Sequence, residues 1–200
     1  MVAAGRFGPS PRLVAWRFAG VRTGWERAQI TAVGGGIRAT GVSRGVDADE
    51  GIPWRIAYDV RWDHRWRFRR ALVRSRDAVR RVERNDGGGW RIDGSPRPEF
   101  VDCVDLDLQV SLLTNIAPAH RFAANRRTSS APAVYLTSTL EVVRLDQLYR
   151  RLPGPGARFD YDSPEHGYRA ILSFAADGFV TDYPFIGRRV HGRYLIPRTV

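Results

Sequence analysis

Apolar and polar residues alternate through most of this chain, and one stretch shows the pattern most cleanly. From Cys103 to Val110, the apolar residues Val104, Leu106, Leu108 and Val110 fall on one side. Cys103, Asp105, Asp107 and Gln109 fall on the other. A period of two belongs to a strand that buries one face. Thr114 and Asn115 end the alternation. From Ile116 to about Arg126, the residues Ile116, Ala119, Phe122 and Ala123 share one helical stripe. Asn115 suits the N-cap of that helix, because its side-chain oxygen can accept a free N–H of the first turn. Pro118 would then sit in the first turn, where no intrahelical bond is lost. The spacing predicts a strand feeding directly into one helix with an apolar face.

The other patterned runs are short, and they alternate or are rich in β-branched and aromatic residues. They are Leu13–Phe18, Arg27–Thr31, Ile37–Val42, Trp54–Trp62, Trp66–Val73, Ala78–Glu83 and Gly89–Ile92. After the central stretch come Val134–Val143, Arg158–Tyr161, Tyr168–Phe174 and Phe179–Tyr183. Turn clusters separate them, among them Gly34-Gly35-Gly36, Pro153-Gly154-Pro155-Gly156 and Asp177-Gly178. Short strands at near-regular spacing predict a mostly antiparallel β protein. Arg144–Leu152 reads two ways. Leu145, Leu148, Tyr149 and Leu152 have helical spacing, yet a strand also fits there. Residues 1–11 are rich in Gly and Pro and are expected to form a disordered tail. No linker divides the remainder of the chain, so residues 12–200 are read as a single domain.

Charge is where composition changes the picture. The net charge is +11, and all 32 basic residues are Arg. A field of that sign attracts polyanions and anionic lipid surfaces, and Arg selects planar, bidentate partners such as phosphate and carboxylate. Cys103 is the single cysteine, so no intramolecular disulfide forms, as expected of a reducing compartment. No apolar run approaches a membrane span, and the N-terminus has no apolar core of a signal peptide. The expected location is cytoplasmic.

Few residues have the spacing that chemistry needs. Asp105-x-Asp107 could chelate a divalent cation for a nucleotide-sugar transferase. No phosphate-binding loop or βαβ pattern accompanies it, and a solvated or Arg-paired strand face explains it better. Arg65 to Arg91 holds ten arginines with Trp66, Phe68 and Trp90 among them, a composition that could serve nucleic acid. The competing reading puts Arg65, Arg67 and Arg69 outward and Trp66 and Phe68 inward, and no nucleic-acid signature supports the first. His64, His120, His166 and His191 lack metal spacing. Cys103 shares a strand face with Asp105, which disfavours an activated thiol. No cofactor or metal is called for.

The ordered motifs resemble those of the putative glycolipid-binding family. Cys103-x-Asp105-x-Asp107-Leu108, then Thr114-Asn115, Pro118 and Arg121, is similar to its central motif. Leu112 stands where the family has Pro, Ala117 and Ala119 where it has Leu and Ile, and His120 where it has the first of two Arg. Tyr58-Asp59-Val60 with Asp63-x-x-Trp66-Arg67-x-Arg69 resembles its early strand pair, and Gly89-Trp90 with Asp93-Gly94 its central hairpin. Gln147-x-Tyr149 looks like a motif of its later sheet. Tyr161-Asp162-Ser163 and Asp177-Gly178-Phe179-Val180-x-Asp182-Tyr183-Pro184 resemble its closing hairpin.

The resemblance implies a spiral β-roll, a many-stranded antiparallel sheet rolled around a single α-helix. It implies a non-enzymatic binder of a lipid or glycolipid, with acyl chains in an apolar interior and a polar head at the mouth. Ligand-binding candidates are Asp105, Asp107, Thr114, Asn115, His120, Arg121, Tyr149 and Tyr183, while Asp63, Trp66 and Arg69 form a structural motif. In one strand, Asp63 and Arg69 would share a face opposite a buried Trp66. The alternative is an enzyme on a lipid-linked or nucleotide sugar that uses Asp105, Asp107 and His120. A basic nucleic-acid module ranks third, and a homodimer is left open.

Overall fold

The computed structural model describes Phe7, residues 10–122, residues 128–130 as backbone, and residues 133–191. Eight strands follow one another as antiparallel hairpins. They are β1 (Arg12–Phe18), β2 (Arg22–Val33), β3 (Gly36–Asp47) and β4 (Pro53–Asp63), then β5 (Phe68–Arg74), β6 (Val79–Arg84), β7 (Trp90–Ile92) and β8 (Ser95–Pro96). β9 (Asp105–Leu108) leaves this run, and a single 3-10 turn at Leu113–Asn115 leads into α1 (Ile116–Phe122). The second half contains β10 (Thr128–Ser130), β11 (Ala133–Leu136), β12 (Val142–Leu145) and β13 (Leu148–Arg151). It closes with β14 (Ala157–Ser163), β15 (Tyr168–Phe174), β16 (Val180–Tyr183) and β17 (Gly187–Val190).

Fourteen strands form one sheet, in the order β10-β13-β14-β15-β16-β17-β1-β2-β3-β4-β5-β6-β7-β8. β17 pairs with β1, Ala15 opposite Val190 through Phe18 opposite Gly187, so the two halves of the chain share one ladder. Its edges are the different strands β10 and β8, and the sheet is not a closed barrel. A small second sheet runs β12-β11-β9. Its β9–β11 ladder is parallel, Ala133 opposite Asp105 through Leu136 opposite Leu108. Parallel neighbours need a long crossover, which α1 and β10 supply. The protein is thus mostly β, a large antiparallel sheet rolled around one α-helix.

Burial explains the roll. Inward residues of β4 (Trp54, Ile56, Tyr58, Val60, Trp62) alternate with exposed or half-buried ones, and β1 buries Val14, Trp16 and Phe18 together with Ala15. Apart from Ala15, these meet Ile116, Ala117 and Ala119 of α1 in one core. Each large apolar side chain so buried contributes about 1.5–3 kcal/mol. Trp16 Nε1 donates to the Val180 carbonyl at 2.7 Å, tying β1 to β16 across the roll.

Several expectations are corrected. β9 spans only Asp105–Leu108, and of the two readings of its polar face the Arg-paired one holds at Asp105, which is 2% exposed and bonded to Arg121. Asn115 does not cap the helix: the 3-10 turn runs straight into α1, and the Asn115 side-chain oxygen accepts from the Tyr149 hydroxyl at 2.9 Å. The helix ends at Phe122, and Ala123 to Arg126 lie outside the described residues. Val134–Val143 is two strands around a turn, with Leu140 buried at φ 63°. Arg144–Leu152, which the sequence left open between helix and strand, is extended and divided between β12 and β13. Trp66 is buried, but it sits in the β4–β5 turn at φ 61° and not in a strand. The expected tail falls on residues 1–11, of which 1–6, 8 and 9 lie outside the described residues. Phe7 packs edge-on against Trp66 with ring centroids 5.7 Å apart.

Candidate functional site

At one mouth of the roll, β14, β15 and β16 bring Tyr161, Tyr168 and Tyr183 together. Their ring centroids are 5.8–6.2 Å apart. These rings wall an open cleft of about 240 Å³, whose other lining includes Asp107, Ser111, Asn115, Arg22 and the apolar Leu108, Leu145 and Ile186. Burial pushes the Asp107 carboxyl up from its usual value. Asp107 is nevertheless well provided with donors: Thr114 Oγ1 at 2.6 Å and Gln147 Nε2 at 2.7 Å. Gln147 also reaches the Tyr161 hydroxyl at 3.1 Å. Burial raises the Tyr161 and Tyr183 phenols, and the Tyr168 phenol to about 12, so all three stay neutral, and the Tyr168 hydroxyl donates to the Pro184 carbonyl at 2.6 Å. Arg22 donates to the Gln109 carbonyl at 2.5 Å, while its Nε is buried with no hydrogen-bond partner. Such a group costs stability unless something fills it.

The sequence candidates divide between two places. Asp107, Asn115 and Tyr183 line the cleft, Thr114 orients Asp107, and Tyr149 stands behind, bonded to Asn115. Asp105, His120 and Arg121 lie elsewhere. Arg121 grips Asp105 through both terminal guanidinium nitrogens, the Nη1 bond measuring 2.7 Å, and Nη1 also donates to the Trp66 carbonyl at 2.9 Å. His120 stacks on Trp66, centroids 4.2 Å apart and planes within 3°. Its Nε2 is buried without a partner. Burial lowers the imidazole to about 4 despite nearby Asp177. Asp63 completes this buttress. It accepts from the Arg65 and Arg67 amides at 2.9 Å each, from Arg67 Nε at 2.7 Å and from Arg69 at 3.0 Å. Asp105 and Asp107, two residues apart, therefore have different partners and different roles. Among the described residues no group of His, Cys, Asp or Glu has the arrangement to hold a metal ion.

Glu26 is a functional candidate that sequence reasoning missed. It lies 0% exposed on the inner face of β2. Its Oε1 accepts from the Tyr58 and Ser111 hydroxyls at 2.5 Å each, and its Oε2 accepts from the Leu112 N–H at 2.6 Å. Burial raises its carboxyl to about 7, against the lowering effect of these bonds. Glu26 thus clamps the turn that carries Ser111 into the cleft wall. The signal was there: Glu26 is in phase with Ala28 and Ile30, the inward residues of its own strand.

A mostly β roll with a tyrosine-lined cleft at its mouth belongs to the class of small-ligand binding folds. The family model described as putative glycolipid-binding matches residues 13–189, and the chain belongs to that family. Among solved structures, it is similar to a DUF1089 family protein from Pseudomonas aeruginosa. The two share 28% identity over 82% of this chain and 92% of that one, with a TM-score of 0.68. No curated protein matches.

Proposed function

We propose that this protein binds a lipid or glycolipid without turning it over, the polar head held in the tyrosine-lined cleft. The acyl portion follows the apolar lining at Leu108, Leu145 and Ile186 toward the interior between sheet and helix. The observation that carries this reading is a concave site walled by three phenol rings, with a buried, unpartnered Arg22 Nε beside them. Aromatic rings offer apolar faces to the C–H surface of a sugar, and convergent polar groups fix its orientation. Membership of the family described as putative glycolipid-binding points the same way.

An enzyme acting on a lipid-linked or nucleotide sugar would need Asp105, Asp107 and His120 on one substrate. Arg121 closes off Asp105, and His120 lies against Trp66 and Gly178, so the geometry favours binding. Native mass spectrometry of purified protein tests the proposal. A co-purified lipid, displaced by added glycolipid, is the expected result. Metal-dependent turnover of a nucleotide sugar by the wild type would refute it.

A further inference from the structure

The large sheet has a second face, turned away from the core, and cross-strand register orders its side chains into rows. One row runs Leu13, Gln29, Thr40, Asp59 and Leu72 across β1 to β5. The next runs Arg27, Val42, Ala57 and Arg74 across β2 to β5. In the middle of these rows stand the short side chains of Thr40, Val42 and Ala57, with longer ones on either side. That difference in length leaves an open trough of about 600 Å³, a size that suits a small ligand. The solvent face of an antiparallel sheet is ordinarily polar. Here Val42, Ala57 and Leu72 make an apolar floor, and Leu13 at its edge is 59% exposed. An apolar floor inside a polar rim marks a binding site.

The rim is cationic. Arg27, Arg38 and Arg74 line the trough against a single acid, Asp59. That acid is already engaged, since Arg38 Nε and Nη2 donate to its two oxygens at 3.0 and 2.6 Å. Trp25 closes the opposite end, with the Arg27 and Arg44 guanidinium carbons 5.0 and 4.5 Å from its ring centroid. Arg74 stands between Ala57 of β4 and Val79 of β6 and has no acidic partner among the described residues. At both ends of the trough arginine opposes arginine directly, Arg38 with Arg61 and Arg44 with Arg55. Like charges so placed repel, and Asp59 is 3.9 Å from Arg61. A bound anion relieves that repulsion.

We propose that this trough binds a small, flat organic anion, its apolar ring lying on Val42, Ala57 and Leu72 and its phosphate or carboxylate meeting Arg74. A guanidinium offers parallel N–H donors to either oxyanion, and a flat ring matches a sheet face whose side chains are short. The trough shares no lining residue with the tyrosine cleft. It is a second site, and it stands or falls independently of the proposed lipid binding.

Calorimetric titration with naphthyl phosphate and with naphthoate tests this, against naphthol and inorganic phosphate as controls. One or both of the naphthyl anions should bind wild type, and the tighter of the two names the oxyanion. Naphthol and inorganic phosphate each lack one half of the ligand and should bind at least about tenfold more weakly. Arg74→Gln removes the charge and keeps the stem, while Ala57→Leu fills the floor from the outer face. Each should weaken the naphthyl anion about tenfold, with the sheet unchanged by circular dichroism. Arg74 is an exposed side chain, so its variant decides the matter should Ala57→Leu disturb the sheet. No binding of either naphthyl anion, undiminished affinity in Arg74→Gln, or naphthol binding as tightly as the anions overturns the proposal. So does an oligothymidylate that binds about a hundredfold more tightly than naphthyl phosphate and is lost in Arg74→Gln, which would make this face a nucleic-acid surface. A wild-type dimer that Ala57→Leu converts to monomer also overturns it, since copies of the chain would then cover the trough.

Discussion

The Tyr58 hydroxyl reaches Glu26 Oε1 at 2.5 Å across β3, through space left open because Gly41 has no side chain. The bond joins two strands of the large sheet to a carboxyl that also holds the Ser111–Leu112 turn. That carboxyl has a folded value of about 7 against 4.5 in the unfolded chain. A value raised by folding means that the native state binds the proton more tightly. The stabilisation is complete below 4.5 and is lost as pH rises through about 7. Glu26→Gln should remove this dependence. Its amide can donate to the two hydroxyls, and its oxygen can accept from Leu112. At pH above 7 the variant should be more stable than wild type, by up to about 3 kcal/mol. Urea unfolding across that pH range measures it, and an unchanged pH slope would show that Glu26 does not titrate as described.

Gly41→Ala tests the same relationship from the other side. The added Cβ would lie 2.3 Å from the Tyr58 hydroxyl oxygen and 2.7 Å from the Arg27 carbonyl oxygen. Something has to move, and overpacking of this kind costs about 1–3 kcal/mol. Thermal unfolding should show a clear fall in Tm, and an unchanged Tm would mean that the roll yields there freely.

How far the sequence revealed this arrangement depends on what each residue's pattern records. Trp54–Trp62 was legible because β4 buries every second residue. β17 was not, since Arg188 and Arg189 give it no apolar alternation, and it is a strand because its backbone pairs with β1. β2 and β3 run well beyond the patterned residues because a ladder needs only main-chain groups, which Gly24 and Gly45 supply opposite one another. Trp66 looked like a strand residue by spacing, yet the Asp63 carboxylate gathers the Arg65 and Arg67 amides into a turn. Asp107, Asn115 and Tyr183 could be named as candidates from motifs. That they share a cleft with Tyr161 and Tyr168, while Asp105 turns away to Arg121, comes from long-range register that no local pattern records.

The His120 environment gives the opposite pH dependence to Glu26. Its imidazole falls from 6.5 to about 4, so folding favours the neutral ring. Stability from this group is present above 6.5 and is lost as pH falls through about 4. His120→Phe keeps the stack on Trp66 and should flatten the acid side of the stability profile. An unaltered acid midpoint would assign acid unfolding to other groups.

Arg121 and Asp105 form a buried pair, with side chains 17% and 2% exposed. Removal of one partner strands the other charge, and Arg121→Ala should cost about 3–5 kcal/mol. Asp105→Asn should cost less, because the amide oxygen still accepts from the guanidinium. Chemical denaturation ranks the two. Equal losses would mean that the lost contacts, rather than an uncompensated charge, set the cost.

Asp107 separates binding from catalysis, and it must be changed alone, since Asp105→Asn disturbs the Arg121 pair. In Asp107→Asn the side-chain oxygen can still accept from Gln147 and the amide can donate to Thr114 Oγ1, so the cleft keeps its shape. Thr114 and Gln147 fix the carboxylate with one donor on each oxygen, and the amide oxygen of Asn keeps an acceptor for a ligand hydroxyl. A binding protein should therefore lose no more than about threefold in affinity for octyl glucoside on this change. Tyr183→Ala removes a ring that meets Tyr161 and Tyr168 at 5.8 Å, and should cost about tenfold. Calorimetric titration of both variants, with circular dichroism to confirm the sheet, reads the contrast. A metal-dependent transferase would reverse it, losing turnover almost completely with Asp107→Asn. Equal affinities in wild type, Asp107→Asn and Tyr183→Ala would place the ligand outside this cleft.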